Sequence, residues 1–219
     1  MRLLLIRHGQ TPANVLGELD TAAPGPGLTD LGRAQAAAVP EALASERIDG
    51  IYASRLIRTH QTAAPLARVR DEMHRVVLPG LHEIGAGRLE GRRDKRSIKK
   101  YLETVWAWGA GSPEARMPGG ADGHEFFGRF DADIATIAAE HDPDATVAVF
   151  SHGAAIRVWS AARAGNISPE LPGRTHLDNT GIVVLTGSPT DGWLMESFAG
   201  EPIGGAALED PTALDPTGN

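Results

Sequence analysis

The sequence predicts an α/β fold, a three-layer sandwich with a mostly parallel central sheet and helices on both faces. Three observations carry the expectation. Residues 3–6 (LLLI) and 145–150 (ATVAVF) are near-continuous apolar runs, as in strands covered on both faces. Strand-like runs alternate with longer stretches of helical period, the order that builds parallel sheets. Two runs also end alike, LLLIRHG at 3–9 and VAVFSHG at 147–153. Each brings a histidine and a glycine to the carboxyl edge of the sheet, where open α/β sheets bind ligands.

In chain order, residues 2–7 read as the first strand. A helix opens at Leu28-Thr29-Asp30 and runs to about Ser45, with Thr29 as N-cap and a kink expected at Pro40. Residues 48–53 read as a second strand, 56–69 as a helix, 75–78 as a short strand and 94–108 as a helix. Phe126, Phe127, Phe130, Ile134, Ile137 and His141 recur at helical spacing over 123–141. The apolar strand 145–150 leads through Ser-His-Gly into a helix over 154–164, and strands at 181–186 and 193–198 close the pattern. The stretch EPIGGAALEDPTALDPTGN has the Pro, Gly and acid content of a flexible tail, so residues 1–198 are expected to form one domain and 199–219 to trail from it.

Composition narrows the classes of function. A chain of 219 residues, 42% of them hydrophobic, has material for one core. The absence of cysteine excludes disulfides and thiolate metal sites. Twenty-one basic against 28 acidic residues give a net charge of -7, which argues against general nucleic-acid binding. No apolar run has membrane-spanning length, and the N-terminal run is too short for a signal-peptide core, so a cytoplasmic location without a membrane partner is expected. Asn166-Ile167-Ser168 fits a glycosylation sequon, which has no use without export. The oligomeric state is left open.

A lone strand-end histidine is ordinary turn material; a second one in the same context is not. Arg7, at the mouth of a parallel sheet, needs a counter-charge or water. Glycine after each histidine lets a backbone N–H approach a ligand, and Gly153 opens a helix, where N–H groups favour anions. The site therefore calls for something anionic.

Together, Arg7-His8-Gly9, Arg58 in SRLIRTHQTA, Glu83 in LHEIGAGRLEG and the late Ser151-His152-Gly153 resemble the histidine phosphatase superfamily, also called the phosphoglycerate mutase-like family. The resemblance spans residues 2 to about 198 and implies a small helical cap, at about 84–128, over the C-terminal strand edge. It implies that His8 is a nucleophile forming a phosphohistidine, and that Arg7, Arg58 and His152 grip the phosphoryl oxygens. Glu83 would protonate the leaving alkoxide, and Asn14 and Gly153 would add phosphate contacts. The implied activity is hydrolysis of small anionic phosphate monoesters with no metal and no cofactor, since arginines neutralise the charge. Gln10 stands where many relatives have glutamate, a change expected to be harmless.

Each residue also has a plainer reading. Arg58 alone is a surface residue of an Arg-rich helix, Glu83 a loop acid, and Asn14 part of an Asx turn. Glu90-Gly91 is common turn material. The remaining histidines read as structural or exposed, with His82 the best placed to touch the site. Trp106 and Trp108 read as core or cap packing. The segment RRDKRSIKK at 92–100 is either a solvated helix face or a basic rim that attracts an anionic substrate. EIGAG lacks the Tyr-Gly of glycolytic mutases, which favours a phosphatase; mutase-type transfer is the alternative. A metal hydrolase using His8, His152 and Glu83 conflicts with the charge of Arg7. A non-catalytic phospholigand-binding domain has the same residues but no turnover.

Overall fold

The structure is a computed structural model that describes residues 1–70 and 73–218, with nothing stated for the side chains of Pro172 and Gly173. Among these residues six strands form one sheet: β1 (Arg2–Arg7), β2 (Gly50–Ala53), β3 (Arg75–Val77), β4 (Thr146–Ser151), β5 (Ile182–Ser188) and β6 (Gly192–Ala199), in the order β3-β2-β4-β1-β5-β6. β1, β2, β3 and β4 run parallel, whereas β5 pairs antiparallel with β1 and with β6. The sheet is therefore mostly parallel with an antiparallel edge.

Among the described residues seven α-helices accompany the strands: α1 (Pro12–Leu16), α2 (Asp30–Ala42), α3 (Ile57–Val69), α4 (Lys95–Gly109), α5 (Gly123–Glu140), α6 (Gly153–Arg163) and the short α7 (Leu171–Arg174). Strand pleating splits β1 between two cores. Leu3 and Leu5 meet Tyr101, Val105, Phe130, Ile134 and Ile156 of α4, α5 and α6 on one face. Leu4 and Ile6 meet Val39 and Leu66 of α2 and α3 on the other. This double burial explains why the runs at 3–6 and 147–150 are apolar at every position.

Thr29 caps α2 as expected, and the helix ends at Ala42, short of the expected Ser45. The Thr29 hydroxyl accepts from the Gly32 N–H, and Asp94 and Asp122 cap α4 and α5 in the same way. Pro40 lies near the end of α2, and Pro65, which the periodicity did not single out, lies inside α3. The five-residue α1 escaped the sequence reading. Thr11 and Asn14 form a capping box around it, so the plainer reading of Asn14 as local turn chemistry describes part of its role.

Residues 200–218 do not trail into solvent. Ile203 joins the α2–α3 core, the amide of Gln35 donates to the Leu208 carbonyl at 2.8 Å, and Gln10 Nε2 donates to Asp210 at 2.9 Å. Composition suggested a flexible tail because the stretch is poor in large apolar residues. Here one isoleucine and polar contacts anchor it, while Asn219 lies outside the described residues. No helix among the described residues is long and apolar enough to cross a membrane.

Candidate active site

Strand register brings the two histidines together. Arg7 of β1 pairs with Ser151 of β4, so His8 and His152 leave neighbouring parallel strands at the same level. Their ring centroids are 5.2 Å apart. The chain then turns to opposite faces, toward α2 after β1 and into α6 after β4. That divergence is a topological switch point, the place where such sheets open a crevice. β2 ends beside β4, which adds Ser54 to the same edge, and Arg58 follows in the first turn of α3. Arg7, His8, Asn14, Arg58, Glu83 and His152 are all buried.

The His8 ring has a defined tautomer. Its Nδ1 lies 2.8 Å from the Gly9 carbonyl, which can only accept, so Nδ1 carries the proton and Nε2 has a free lone pair. Burial, then the charges of Arg58 and Arg7, hold its pKa well below 6.5, so the ring is neutral at pH 7. Burial, followed by Arg58 and His8, also holds His152 neutral. Its Nε2 is 2.7 Å from Ser54 Oγ, while its Nδ1 is buried with no partner. Arg7 Nε and Arg58 Nε are likewise buried and unpartnered.

The terminal nitrogens of the arginines are engaged. Arg58 Nη1 donates to Asp20 Oδ2 at 3.0 Å and Nη2 to the Asp20 carbonyl at 2.9 Å. Arg7 Nη1 donates to the Leu177 carbonyl at 2.7 Å, and Nη2 binds the Asp215 carboxylate and Thr217 Oγ1, the latter at 3.1 Å. Asn14 Oδ1 accepts from the Thr11 N–H at 2.9 Å, leaving the amide nitrogen as the group it can offer an anion.

Glu83 sits on a loop braced from two sides. The Arg129 guanidinium donates to the His82 carbonyl at 2.7 Å and the Glu83 carbonyl at 3.0 Å, and the Tyr101 hydroxyl donates to the Ile84 carbonyl at 2.9 Å. The Glu83 carboxylate accepts from the N–H groups of Ile84 at 2.8 Å, Ala155 at 2.9 Å and Ala154 at 3.2 Å. Burial raises its pKa above the ordinary 4.5, against the pull of these N–H groups and of Arg58.

Two expectations about glycine change. The buried N–H groups of Ala154 and Ala155 at the start of α6 serve Glu83, so the anion held by this helix end belongs to the protein. A Cβ on Gly153 would stand 2.5 Å from the Thr217 carbonyl and 3.0 Å from Arg7 Nε; the missing side chain makes room for protein groups. The Gly9 N–H donates to Thr62 Oγ1 at 2.9 Å, and a Cβ there would meet the Gly32 carbonyl at 2.6 Å. Gly9 thus lets β1 pass close to α2.

The cavity at the site is lined by His8, Thr11, Asn14, Glu18, Asp20, Arg58, Glu83 and Thr217 among others. Glu18, Asp20 and Thr217 carry no motif, and only the folded chain brings them there. Glu90 holds the Asp20 loop by accepting from the N–H groups of Thr21 at 2.7 Å and Ala22 at 3.0 Å, so the Glu-Gly turn has a structural task. His82 does not line the cavity; its Nδ1 faces the Pro79 carbonyl at 2.5 Å. Trp108 packs in the core against Phe126, and Trp106 lies under Arg157. A larger cavity of about 580 Å³ opens between α4, α5 and α6, remote from His8 in its lining. Among the described residues no group of three or more His, Asp or Glu side chains is set to hold a metal ion.

A neutral histidine with a bare nitrogen, two buried arginines, a second histidine and a buried carboxyl lie together at one sheet edge. The chain belongs to the histidine phosphatase superfamily (branch 1), whose description matches residues 3–199. It is 41% identical, over 95% of its length, to the PE-PGRS family protein PE_PGRS11 of Mycobacterium tuberculosis, spanning 38% of that longer protein. It is 25% identical to the metal-independent phosphoserine phosphatase of Arabidopsis thaliana, covering 91% of this chain and 88% of the plant protein. In structure it is similar to mycobacterial glucosyl-3-phosphoglycerate phosphatase in complex with VO3, with a TM-score of 0.76 and 26% identity over 91% of this chain and 99% of that one.

Proposed function

We propose that this chain hydrolyses small phosphate monoesters through a phosphohistidine on His8, without a metal. The observation that carries the reading is the free Nε2 lone pair of His8, in a ring 5.2 Å from that of His152, together with three buried polar atoms that lack partners among the described residues: Arg7 Nε, Arg58 Nε and His152 Nδ1. Buried donors without acceptors are costly, and an anion that visits the site supplies the acceptors. Guanidinium N–H groups near a nucleophilic nitrogen suit a tetrahedral phosphoryl group.

In the proposed reaction Nε2 of His8 attacks phosphorus while the ester P–O bond breaks. Glu83, protonated before cleavage, gives its proton to the leaving alkoxide. The adjacent dianion raises the Glu83 pKa further, in the direction that burial already sets. The resulting carboxylate takes a proton from water, which attacks phosphohistidine and releases inorganic phosphate and free His8. Arg7, Arg58 and His152 stabilise charge on the equatorial oxygens, which is most of what a loose phosphoryl-transfer transition state requires. Asn14 adds its amide nitrogen.

The printed activities of the relatives support a phosphomonoesterase and differ among themselves in substrate. For this chain we propose a small, singly phosphorylated ester, because Glu18 and Asp20 line the cavity and would repel a second phosphate. Cytoplasmic action without nucleic-acid or membrane partners belongs to the same proposal and rests on the composition. Rapid acid quench with a labelled ester tests the reading. An acid-labile phosphoenzyme and phosphate release are expected in the native protein, surviving chelator and absent in His8→Ala. Undiminished turnover in His8→Ala would overturn it. Equal transfer to a second hydroxyl acceptor would favour a mutase.

A further inference from the structure

Glu83 stands on a stretch that the sheet does not hold. Upstream lies β3, an edge strand whose three residues are all exposed, and residues 82–86 belong to no strand or helix. Side chains hold the stretch instead. Five carbonyls in succession each accept from one: Gly80, His82 and Glu83 from the Arg129 guanidinium, Leu81 from Ser151 Oγ at 2.8 Å, and Ile84 from the Tyr101 hydroxyl at 2.9 Å. Arg129 alone takes three of the five. Gly80, Leu81, Glu83 and Ile84 are buried, so a carbonyl released by Arg129 would have no ready water to replace it.

The guanidinium is itself set in place by α5. Its carbon lies 5.0 Å from the ring centroid of Phe126, a buried residue one turn earlier. A Cβ on Gly80 would stand 2.2 Å from the Arg129 carbonyl, so the missing side chain lets the loop lie directly on the helix. A planar fork that meets several carbonyls at once fixes a backbone as a point charge cannot. The groups that face the phosphoryl oxygens are anchored on other elements. His8 follows β1, which is buried between two cores, Arg58 sits on α3 tied to Asp20, and His152 stands at the start of α6 beside Ser54.

From this division we infer that Arg129 is a positioning residue for one half of the reaction: through three loop carbonyls it sets the Glu83 carboxyl at the leaving-group oxygen. The inference rests on the phosphatase reading of this site. Glu83 gives its proton to that oxygen as the P–O bond breaks, and Arg129 exchanges no proton. Attack by His8 and the grip on the phosphoryl group do not pass through Arg129. Its loss should therefore harm only esters whose leaving group needs a proton.

The experiment compares the full chain with Arg129→Gln and Arg129→Lys, and with Phe130→Ala as a structural control on the same helix, each checked for folding by circular dichroism and thermal melting. KM and kcat are measured on glycerol 1-phosphate and on 4-nitrophenyl phosphate. Arg129→Gln should lose about 100-fold in kcat on the alkyl ester, the cost of a shift of about 1 Å, with KM little changed. On the nitrophenyl ester the loss should stay under about three-fold. Arg129→Lys, an ammonium in place of the fork, should fall between, and it carries the test if the glutamine variant does not fold. Phe130→Ala should leave the ratio of the two esters as it is. In a Glu83→Gln background, Arg129→Gln should add almost nothing on the alkyl ester. Equal losses on both esters, or a second full loss in the double variant, would overturn the inference. Amide exchange gives a readout without turnover. The N–H groups of Ile84, Ala154 and Ala155, held by the Glu83 carboxylate, should exchange roughly ten-fold faster in the variant, while those of Leu4 and Val149 keep their rates. Unchanged protection at all three would also overturn it. If the native chain hydrolyses neither ester, the phosphatase reading fails, and the amides still decide whether Arg129 places Glu83.

Discussion

The carboxylate of Glu83 accepts a hydrogen bond from the N–H of Ala155 at 2.9 Å, so an acid from one loop occupies the start of a helix 72 positions later in the chain. The helix end steadies the ionised form, while burial favours the neutral one. A group balanced between the two can give a proton and take it back. Glu83→Gln keeps the shape and loses the proton. Its kcat should fall about 100- to 1,000-fold on alkyl phosphates, yet far less on 4-nitrophenyl phosphate, whose leaving group needs no proton. Equal losses on both esters would assign Glu83 a different role.

The pH dependence follows from the histidines. In the folded chain His8 and His152 titrate well below 6.5, so between that folded range and 6.5 the unfolded chain binds more protons. Stability must therefore rise with pH through this window and fall on acidification. Thermal melts from pH 7.5 down to 5 should show the decline, and His152→Asn should flatten it. The acid limb of kcat/KM, where His8 becomes protonated, should lie below pH 6.5. A limb above 7 would contradict the electrostatics of Arg7 and Arg58.

Arg58→Lys separates charge from shape. The ammonium retains the positive charge but not the planar fork, which here spans Asp20 and the unpartnered Nε. A loss of about 100-fold in kcat/KM is expected, most of it in kcat. Full activity in the lysine variant would mean that Arg58 serves only as a point charge.

The basic run at 92–100 begins beside the cavity. The Leu19 N–H donates to the Arg92 carbonyl at 2.9 Å, which sets Arg92 next to the stretch that supplies Glu18 and Asp20. The ion pair of Arg92 with Asp94 is exposed and leaves the field of the run open to solvent. Neutralising Arg92 and Arg93 together should raise KM at low ionic strength with little change in kcat, and added salt should erase the difference. An unchanged KM would return the run to a plain solvated face.

Phe130 tests the core. It is fully buried between Phe126, at a centroid distance of 5.8 Å, and Trp159, at 5.3 Å. Phe130→Ala should cost about 3–5 kcal/mol, seen in chemical denaturation. A cost under 1 kcal/mol would mean that the α5–α6 packing is looser than these contacts imply.

The sequence by itself determined the layered α/β architecture, because residues 3–6 and 147–150 are apolar at every position only if both faces of the sheet are covered. It also brought Arg7-His8 and Ser151-His152 into view, since they follow directly on such runs and side-chain chemistry at a strand end is local information, whereas Asn14, Arg58 and Glu83 stood out only through the family resemblance. The extra roles of Gly9, Gly153 and Gln10 were not legible, because each depends on what stands across a gap: the Gly32 carbonyl, the Thr217 carbonyl and Asp210. The same holds for Asp20 on Arg58 and for the course of residues 200–218. Only the tertiary structure decided these contacts, since they join positions dozens to hundreds apart through polar bonds that leave no periodic trace in the chain.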